Sequence, residues 1–266
     1  MFCRFLAGAM LASLAFAGTG LAQDCPPGAL GTSRTIAVDP LAHRRIGLLE
    51  YRETLPLEDH EVVLTFDDGP LPPHTPKVLD ALAAECVKAT FFVVGQMAEA
   101  YPDVLRREYR EGHTIGTHTE HHRYLNRLRA DAATKEITDG IAAVGKILGS
   151  ANAAAPFFRF PYLDENAASE AIALKLGLMI WSTDFHGSDW ERLTPQQVAA
   201  IAIARLERNK KGILMLHDIH ERTALALPII LSEMKKRGYH IVQAVPAVHA
   251  PSKTAAKPDR WMTTMQ

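Results

Sequence analysis

From residue 61 onward, the chain alternates short apolar runs with longer segments of helical periodicity. The first apolar run, residues 61–66 (EVVLTF), ends in an acidic turn and is typical of a buried strand. Because parallel strands need a crossover between them, and a helix is the usual one, the alternation predicts a parallel sheet covered by helices. About seven such strands in fewer than 200 residues predict an α/β fold, a distorted and incomplete (β/α)7 barrel.

Two of the predicted helices have recognisable first turns. Thr75-Pro76 suits a helix with threonine as N-cap and proline at the first helical position. Thr194-Pro195-x-Gln197 resembles a capping box. The predicted helices are residues 75–85, 98–110, 130–148, 167–176, 194–208 and 222–237, and the predicted strands are residues 61–66, 89–94, 114–117, 157–160, 178–181, 213–216 and 240–242.

The regions on either side of the barrel differ from it in composition. Residues 1–22 combine Arg4, a short apolar stretch and small residues ending at Ala22, which predicts a signal peptide cleaved near Ala22 and export to the periplasm or the medium. That stretch is too short for a comfortable membrane span, so we expect no span in the mature chain; a buried N-terminal helix is the alternative. Residues 23–58 predict an extended arm with at most one short strand, residues 59–248 the barrel domain, and residues 249–266 a loose polar tail.

Charge and cysteine content narrow the function further. The 29 Lys and Arg residues balance 30 Asp and Glu residues, so no basic field indicates a nucleic-acid partner. Removal of the signal peptide would leave Cys25 and Cys86, and an oxidising compartment would allow them to form a disulfide. That bond would tie the arm to the barrel domain, and two unpaired thiols are the alternative.

Polar residues follow five of the predicted strands, at the point where each strand ends. In a barrel of this kind, the loops after the carboxyl ends of the strands form the active site. Asp, His and Arg on five separate loops therefore predict one functional face. The residues concerned are Asp67 and Asp68, His118 and His122, Arg159 and Tyr162, the segment from Asp184 to Trp190, and His217.

Two histidines and an acid on this face suit a metal ion. His118 and His122 lie four residues apart, one helical turn, so that both imidazoles can face one ion, and Asp68 would add a hard oxygen ligand. This set predicts a catalytic divalent site with positions open for water, with zinc as the default. His121, at a spacing of three, is an alternative second ligand. The adjacent Asp67 can stay free as a base for water.

Five short motifs occur in the same order as in the polysaccharide deacetylases, which are carbohydrate esterase family four and carry the NodB-homology domain. The resemblance spans residues 59–248 and implies a distorted seven-stranded β/α barrel. It also implies metal-dependent removal of acetyl groups from sugars, usually from N-acetylglucosamine. The motifs are Thr65-Phe66-Asp67-Asp68-Gly69-Pro70, His118-Thr119-x-x-His122, Arg159-Phe160-Pro161-Tyr162, Asp189-Trp190 and Leu216-His217.

The resemblance implies roles for the acidic and histidine residues of the first two motifs, for Arg159 and Tyr162 of the third, and for Trp190 of the fourth. Asp67 resembles the catalytic base, and Arg159 would hold it ionised and oriented, since a nearby cation favours the carboxylate. Tyr162 matches the position whose backbone N–H helps to stabilise the oxyanion, and Trp190 matches a wall of the sugar groove. The implied ligands of one divalent metal ion, Zn²⁺ by default, are Asp68, His118 and His122.

The fourth and fifth motifs supply the implied general acid, with one departure from the family pattern. His217 resembles the acid that protonates the leaving amine, and Asp189 the carboxylate that orients and charges it. The family usually separates the two acids of its fourth motif by two residues, whereas four residues separate Asp184 from Asp189 here. Either acid is therefore a candidate partner of His217, and His186, within the longer loop, can enter the groove.

The expected activity is that of an exported, metal-dependent deacetylase that hydrolyses N-acetyl groups of polysaccharides or oligosaccharides containing N-acetylglucosamine. The expected mechanism is a metal–water mechanism with an aspartate base and a histidine acid. The alternatives are hydrolysis of O-acetyl esters on a polysaccharide such as xylan, and a carbohydrate-binding barrel without turnover. The expected partner is an acetylated polysaccharide or oligosaccharide. The sequence leaves open which polymer is bound and whether the chain forms oligomers.

Overall fold

One parallel sheet runs through residues 25–247, the part of the chain that the computed structural model describes. Helices cross over between most of its consecutive strands, and short 3-10 turns lie at Leu125–Arg127 and Pro161–Leu163. The strands are β1 (Thr32–Val38), β2 (Arg45–Ile46), β3 (Glu61–Asp67), β4 (Thr90–Val93), β5 (Thr114–Thr117), β6 (Phe157–Phe158), β7 (Met179–Trp181), β8 (Phe185–His186), β9 (Gly212–His217) and β10 (His240–Pro246). The helices are α1 (His74–Ala84), α2 (Gly95–Ala100), α3 (Pro102–Arg110), α4 (Ala130–Leu148), α5 (Ala167–Lys175), α6 (Pro195–Asn209) and α7 (Glu221–Lys236).

The strand order is that of an incomplete barrel. The path runs β1-β10-β3-β4-β5-β6-β7-β2, while β9 lies on the other side of β3 and pairs in turn with β8. Every strand pair is parallel. Between β2 and β8, the described residues form no backbone pairing that would close the ring. The predicted distorted and incomplete (β/α)7 barrel is confirmed.

Strand β3 explains how the fold brings polar residues to its centre. It is buried along its whole length, which accounts for its nearly continuous apolar run. Val62, Leu64 and Phe66 belong to the large apolar cluster that includes the helices, whereas Val63 belongs to a separate cluster with residues of β4, β7 and β9. Because side chains alternate along a strand, Asp67 lies on the same face as Val63, at the carboxyl end.

Proline accounts for two differences between the predicted and observed helices. The helix predicted at residues 98–110 is two helices, α2 and α3, because Pro102 can begin a helix but lacks the N–H needed to continue one. Helix α1 begins at His74, after Pro73, so Thr75 is not its N-cap. Thr194 does cap α6, and the predicted capping box with Gln197 is present.

The N-terminal arm is more ordered than the sequence suggested. Instead of one short strand at most, it provides two strands of the sheet: β1 pairs with β10, and β2 pairs with β7. Pairing with β1 also carries β10 on to Pro246, beyond the predicted end at residue 242. After β2, Gly47 has a φ of 107°, and a Cβ there would lie 2.5 Å from the backbone of Ser182. The arm therefore packs directly on the barrel.

A disulfide also holds the arm. Cys25 and Cys86 are bonded, with their Cα atoms 5.9 Å apart, so the predicted pairing is confirmed. No helix among residues 25–247 combines the length and apolar character needed to cross a membrane. The predicted signal peptide (1–22) and the predicted tail (249–266) lie outside the described residues.

Candidate active site

Asp67, the last residue of β3, forms a buried ion pair with Arg159. The guanidinium Nη1 lies 2.6 Å from Oδ1 of Asp67 and also donates to the Thr65 hydroxyl at 2.9 Å. Nη2 donates to the carbonyl oxygen of Ser182 at 2.7 Å. Burial lowers the pKa of Arg159, and the Asp67 carboxylate opposes that effect, so the guanidinium stays charged. These contacts fix the orientation of Asp67, which also lines the cleft.

Asp68, His118 and His122 form the one group among residues 25–247 that is arranged to hold a metal ion. Their candidate ligand atoms all lie within 4.8 Å of one another. Oδ1 of Asp68 is 3.4 Å from Nε2 of His118 and 3.1 Å from Nε2 of His122. Burial opposes ionisation of Asp68, whereas positive charge on the two imidazoles favours it and holds the pKa of this carboxyl below its usual range; a bound cation would supply that positive charge in their place.

Two further observations show that these residues fit a divalent cation. Nδ1 of His118 lies 2.7 Å from the carbonyl oxygen of Arg159, so it carries the hydrogen and leaves the lone pair of Nε2 directed at the cluster. Oδ1 of Asp68 is buried and has no hydrogen-bond partner. Two imidazole nitrogens and one carboxylate oxygen are the donor set of catalytic zinc sites.

The local structure that brings the histidines together is not the predicted helical turn. Residues 118–122 form an irregular loop after β5, in which Thr119 and His122 have φ values of 68° and 54°. The His122 N–H donates to the Thr119 hydroxyl at 3.0 Å. The alternative ligand His121 does not join the cluster, because its Nδ1 lies 3.1 Å from Oε1 of Glu136.

Left-handed backbone is concentrated in the loops that carry the site. Nine described non-glycine residues have positive φ, and six of them lie in these loops. For a residue with a side chain, this conformation costs roughly 1–2 kcal/mol, so it persists only where the surrounding structure enforces it. The six residues are Asp68, Thr119, His122, Tyr162, Leu163 and Ser188.

Gly69 follows the two acids and lies against a buried carboxyl group. A Cβ at this position would lie 2.0 Å from Oδ2 of Asp218. The Gly69 N–H donates to Asp218 at 3.0 Å, and the Thr75 hydroxyl donates to the same carboxyl at 2.5 Å. Burial raises the pKa of Asp218 to about 7. Thr75 therefore holds Asp218 instead of capping α1.

His217 and Asp189 form a second buried pair. His217 ends β9 and lies directly across from Asp67 in the strand register. Its Nδ1 is 2.8 Å from Oδ1 of Asp189, whose other oxygen accepts from the His217 N–H at 2.6 Å and the Thr223 hydroxyl at 2.5 Å. Burial alone would lower the pKa of His217, but the Asp189 carboxylate, together with Asp68 and Asp67, outweighs it and raises that pKa to about 9. The imidazole can therefore carry a proton at neutral pH.

Asp184, the other candidate partner of His217, lies elsewhere and fastens the arm to the barrel. Its Oδ1 accepts from the Leu48 N–H at 2.7 Å. Its Oδ2 accepts from the Thr54 hydroxyl at 2.7 Å and from the Ile213 N–H at 2.8 Å. The lengthened fourth motif thus separates two tasks, with Asp189 beside the histidine and Asp184 beside the arm.

Aromatic side chains form one wall of the cleft. Tyr162 is 54% exposed, and its ring stacks on Tyr124 with centroids 3.8 Å apart and planes at 10°. The same ring meets His122 edge-on at 4.5 Å. The guanidinium of Arg127 lies 3.8 Å from the centroid of the Tyr124 ring. A sugar ring entering the cleft would therefore meet a flat apolar surface next to the metal-ligand cluster.

The other side of the cleft contains Trp190, which is 45% exposed. Its ring lies 5.5 Å from that of His217 and 4.5 Å from that of His186. The arm adds Leu49, whose N–H donates to the carbonyl oxygen of Thr183 at 2.9 Å. The cleft encloses about 380 Å³, enough for a sugar residue.

The structure brings together most of the residues predicted for the site, leaves out Asp184 and the alternative ligand His121, and adds others that the sequence analysis missed. Leu49, Met215 and Ile219 line the cleft, but two single apolar residues in loops and one inside β9 gave no signal of this position. Tyr124 and His220 were closer to detection, since they lie two and three residues after a predicted site residue. An aromatic or histidine residue so near a predicted ligand or acid is a usable signal.

A family model described as polysaccharide deacetylase matches residues 55–181. The match includes the buried ion pair and the three candidate metal ligands, whereas nearly all of the arm, Asp189 and His217 lie outside it. A peptidoglycan-N-acetylglucosamine deacetylase of Listeria monocytogenes is 35% identical over 184 residues, which are 68% of this chain and 37% of the relative. The chain therefore spans little more than a third of that relative's length.

In two further comparisons, the match covers a larger share of the similar protein. A chitooligosaccharide deacetylase of Sinorhizobium fredii is 30% identical over 220 residues, 76% of this chain and 99% of the relative. The solved structure of a peptidoglycan deacetylase of Bdellovibrio bacteriovorus has a TM-score of 0.73 and 30% identity, covering 83% of this chain and 61% of that one. Taken with the ordered motifs and the barrel, these similarities show that the chain belongs to the polysaccharide deacetylase family.

Proposed function

We propose that this protein is a metal-dependent deacetylase that hydrolyses the N-acetyl groups of an extracellular polysaccharide or oligosaccharide containing N-acetylglucosamine. One observation carries the proposal. The buried pairs Asp67 with Arg159 and His217 with Asp189 lie at the ends of adjacent strands in one cleft, beside the Asp68, His118 and His122 cluster. A carboxylate and a protonated imidazole so arranged can serve as base and acid in amide hydrolysis.

The chemistry divides between the two pairs. Asp67 accepts a proton from the attacking water, and Arg159 keeps the carboxylate correctly oriented. His217 donates a proton from Nε2 to the departing nitrogen, and Asp189 stabilises the imidazolium from the Nδ1 side. A divalent cation held by the three ligand residues, Zn²⁺ by default, would polarise the acetyl carbonyl and acidify water. The products are acetate and a free amine.

Tyr162 and Trp190 would bind the saccharide. The exposed Tyr162 ring and the Trp190 ring lie on opposite sides of the cleft and suit the apolar faces of sugar rings. The backbone N–H of Tyr162 is the further candidate donor to the oxyanion. The names of the relatives support peptidoglycan or chitin-type oligosaccharides as the substrate class.

We further propose that the protein is exported and acts outside the cytoplasm. The support is the composition of residues 1–22, which is that of a signal peptide, together with the Cys25–Cys86 disulfide. Structural disulfides of this kind persist in oxidising compartments. Mass spectrometry of the protein from an expressing cell and its medium would test both points, and an intact residue 1 with Cys25 and Cys86 both free would refute them.

The test of the activity is acetate release from N-acetylglucosamine oligomers and from N-acetylated peptidoglycan. We expect a chelator to abolish release and added Zn²⁺ to restore it, while acetylated xylan, the substrate of the O-acetyl alternative, gives less product. No acetate from any substrate after metal loading would leave only a binding role. Release that persists after complete metal removal would refute the proposed metal dependence.

A further inference from the structure

His186, which lines the cleft, forms a cluster with Arg205, and the proposed chemistry does not use this cluster. His186 lies in β8, and Arg205 reaches it from helix α6. Nη1 of Arg205 is 2.6 Å from Nδ1 of the imidazole and 3.3 Å from Nε2. The same nitrogen donates to the His186 carbonyl oxygen at 2.8 Å and to the Ser188 hydroxyl at 3.1 Å.

These contacts determine the protonation of the ring. The Ser188 N–H donates to Nδ1 of His186 at 3.3 Å, so Nδ1 is the acceptor, while the two hydrogens of the Arg205 Nη1 go to the His186 carbonyl oxygen and the Ser188 hydroxyl. A neutral imidazole with Nδ1 as acceptor carries its hydrogen on Nε2. The charged groups around the ring are Arg205, Asp189 and His217, and burial together with Arg205 lowers the pKa of His186 to about 4.

The ring also belongs to the cleft. His186 lines the cavity, and its ring lies 4.5 Å from that of Trp190 at an angle of 41°. A sugar has apolar C–H faces and hydroxyl groups at its edge, so it is recognised by an aromatic surface with a polar group beside it. Trp190 and His186 supply that combination on the side of the cleft that holds His217.

We propose that His186 is a specificity-determining residue whose Nε2–H donates a hydrogen bond to an uncharged oxygen of the sugar that packs against Trp190. This inference rests on the proposed function and adds a contact to it. Arg205 acts through His186 as a positioning residue, since it holds Ser188 and lies against the ring as a cation that disfavours the imidazolium. The ring therefore stays neutral near His217 and keeps its Nε2–H.

His186→Phe is the main test, because phenylalanine keeps an aromatic ring against Trp190 and removes only the nitrogen atoms. In the zinc-loaded full chain, we expect KM for N-acetylglucosamine oligomers to rise about fivefold, in line with one neutral hydrogen bond, with kcat within about twofold of wild type. Arg208→Met is the matched control. Arg208 is an exposed arginine on the same helix, so its loss removes the same charge without touching the cleft.

Arg205→Met tests the tautomer. Without the guanidinium, Ser188 is no longer held and Nδ1 can carry the hydrogen, so we expect a higher KM than wild type above the pKa of the variant imidazole, which burial keeps below the ordinary value of about 6.5. Below that pH the ring becomes doubly protonated and regains its Nε2–H. The ratio of the variant KM to the wild-type KM should therefore fall on acidification, which loss of packing alone would not produce. Arg208→Met should keep a ratio near one throughout.

Nitrogen-15 NMR of the wild-type imidazoles provides a measurement that does not depend on turnover or on the folding of a variant. We expect His186 to remain neutral, with hydrogen on Nε2, from pH 5 to pH 8. An Nδ1–H tautomer, protonation near pH 6.5, or an unchanged KM in a folded His186→Phe enzyme would each overturn the inference. Absence of acetate release by the wild-type protein would instead refute the proposed function, and the NMR result would still be interpretable.

Discussion

Replacing Asp189 with asparagine should move the alkaline limit of activity to lower pH. The carboxylate is fully buried and is the main group that raises the pKa of His217 to about 9, with Asp68 and Asp67 adding to it against the effect of burial. Asparagine would keep the shape but not the charge. Its oxygen can still accept from the His217 N–H and the Thr223 hydroxyl, which turns its NH2 group toward Nδ1 and favours the neutral imidazole.

The size of the effect follows from the pKa. A change from about 9 to the ordinary value of about 6.5 corresponds to about 3 kcal/mol less stabilisation of the imidazolium. The proton needed for catalysis is present below the folded-state pKa and is lost as pH rises through it. At pH 8, the protonated fraction should therefore fall by a factor of roughly 30. A bound cation would offset the charge of Asp68 in both proteins, so the difference between them is the quantity to measure.

The assay is kcat/KM for acetate release between pH 5 and pH 10, measured for wild type, Asp189→Asn and Asp184→Asn. Asp184→Asn is the matched control, because Asp184 is an acid of the same motif whose partners are Leu48, Thr54 and Ile213. We expect the alkaline limb to move by about two pH units or more in Asp189→Asn only. A limb that stays in place in Asp189→Asn, or that moves in Asp184→Asn, would refute the assignment of His217 and its partner.

Four other substitutions test three separate parts of the structure. Asp67→Asn should retain bound zinc but lower kcat by about 100-fold or more, whereas His118→Ala should lose the metal. Elemental analysis would measure the bound zinc, and kinetics would measure kcat. Loss of zinc in Asp67→Asn with retention in His118→Ala would contradict these roles. Gly69→Ala should lower the midpoint of thermal unfolding, because its Cβ would meet the Asp218 carboxyl at 2.0 Å, and an unchanged midpoint would show that the loop can relax. Cys86→Ser should destabilise the protein by about 4 kcal/mol in urea unfolding, since the disulfide spans 61 residues, and equal stability with and without reductant would contradict this.

The sequence predicted the strands that are buried on both faces better than those at the edges. The apolar runs of β3, β4 and β9 carry their own signal, because burial on both sides leaves little room for polar residues. Strand β1 has the mixed sequence TSRTIAV and is paired with β10, more than 200 residues away. Strand β2 has only two residues. Such strands are set by their partners, which no local pattern reveals.

The candidate site shows the same division between local and tertiary information. The motifs identified Asp68, His118 and His122 as a cluster, although the helical spacing used to join the two histidines was the wrong geometry. The choice between Asp184 and Asp189 could not be made from spacing, because it depends on where the arm packs. Residues such as Leu49 enter the cleft only after the arm has folded onto the barrel.

The left-handed residues around the cleft limit how far this protein can be engineered for heat resistance. A screen that rewards melting temperature would favour glycine at all six positions, since glycine removes a penalty of roughly 1 kcal/mol at each. At Asp68 and His122 the exchange would delete candidate ligands, and at Tyr162 it would remove an aromatic wall. At Thr119 and Ser188 it would remove hydroxyls that accept from the His122 N–H and from Arg205, so laboratory evolution for stability alone should inactivate the protein before it exhausts the gains available at these loops.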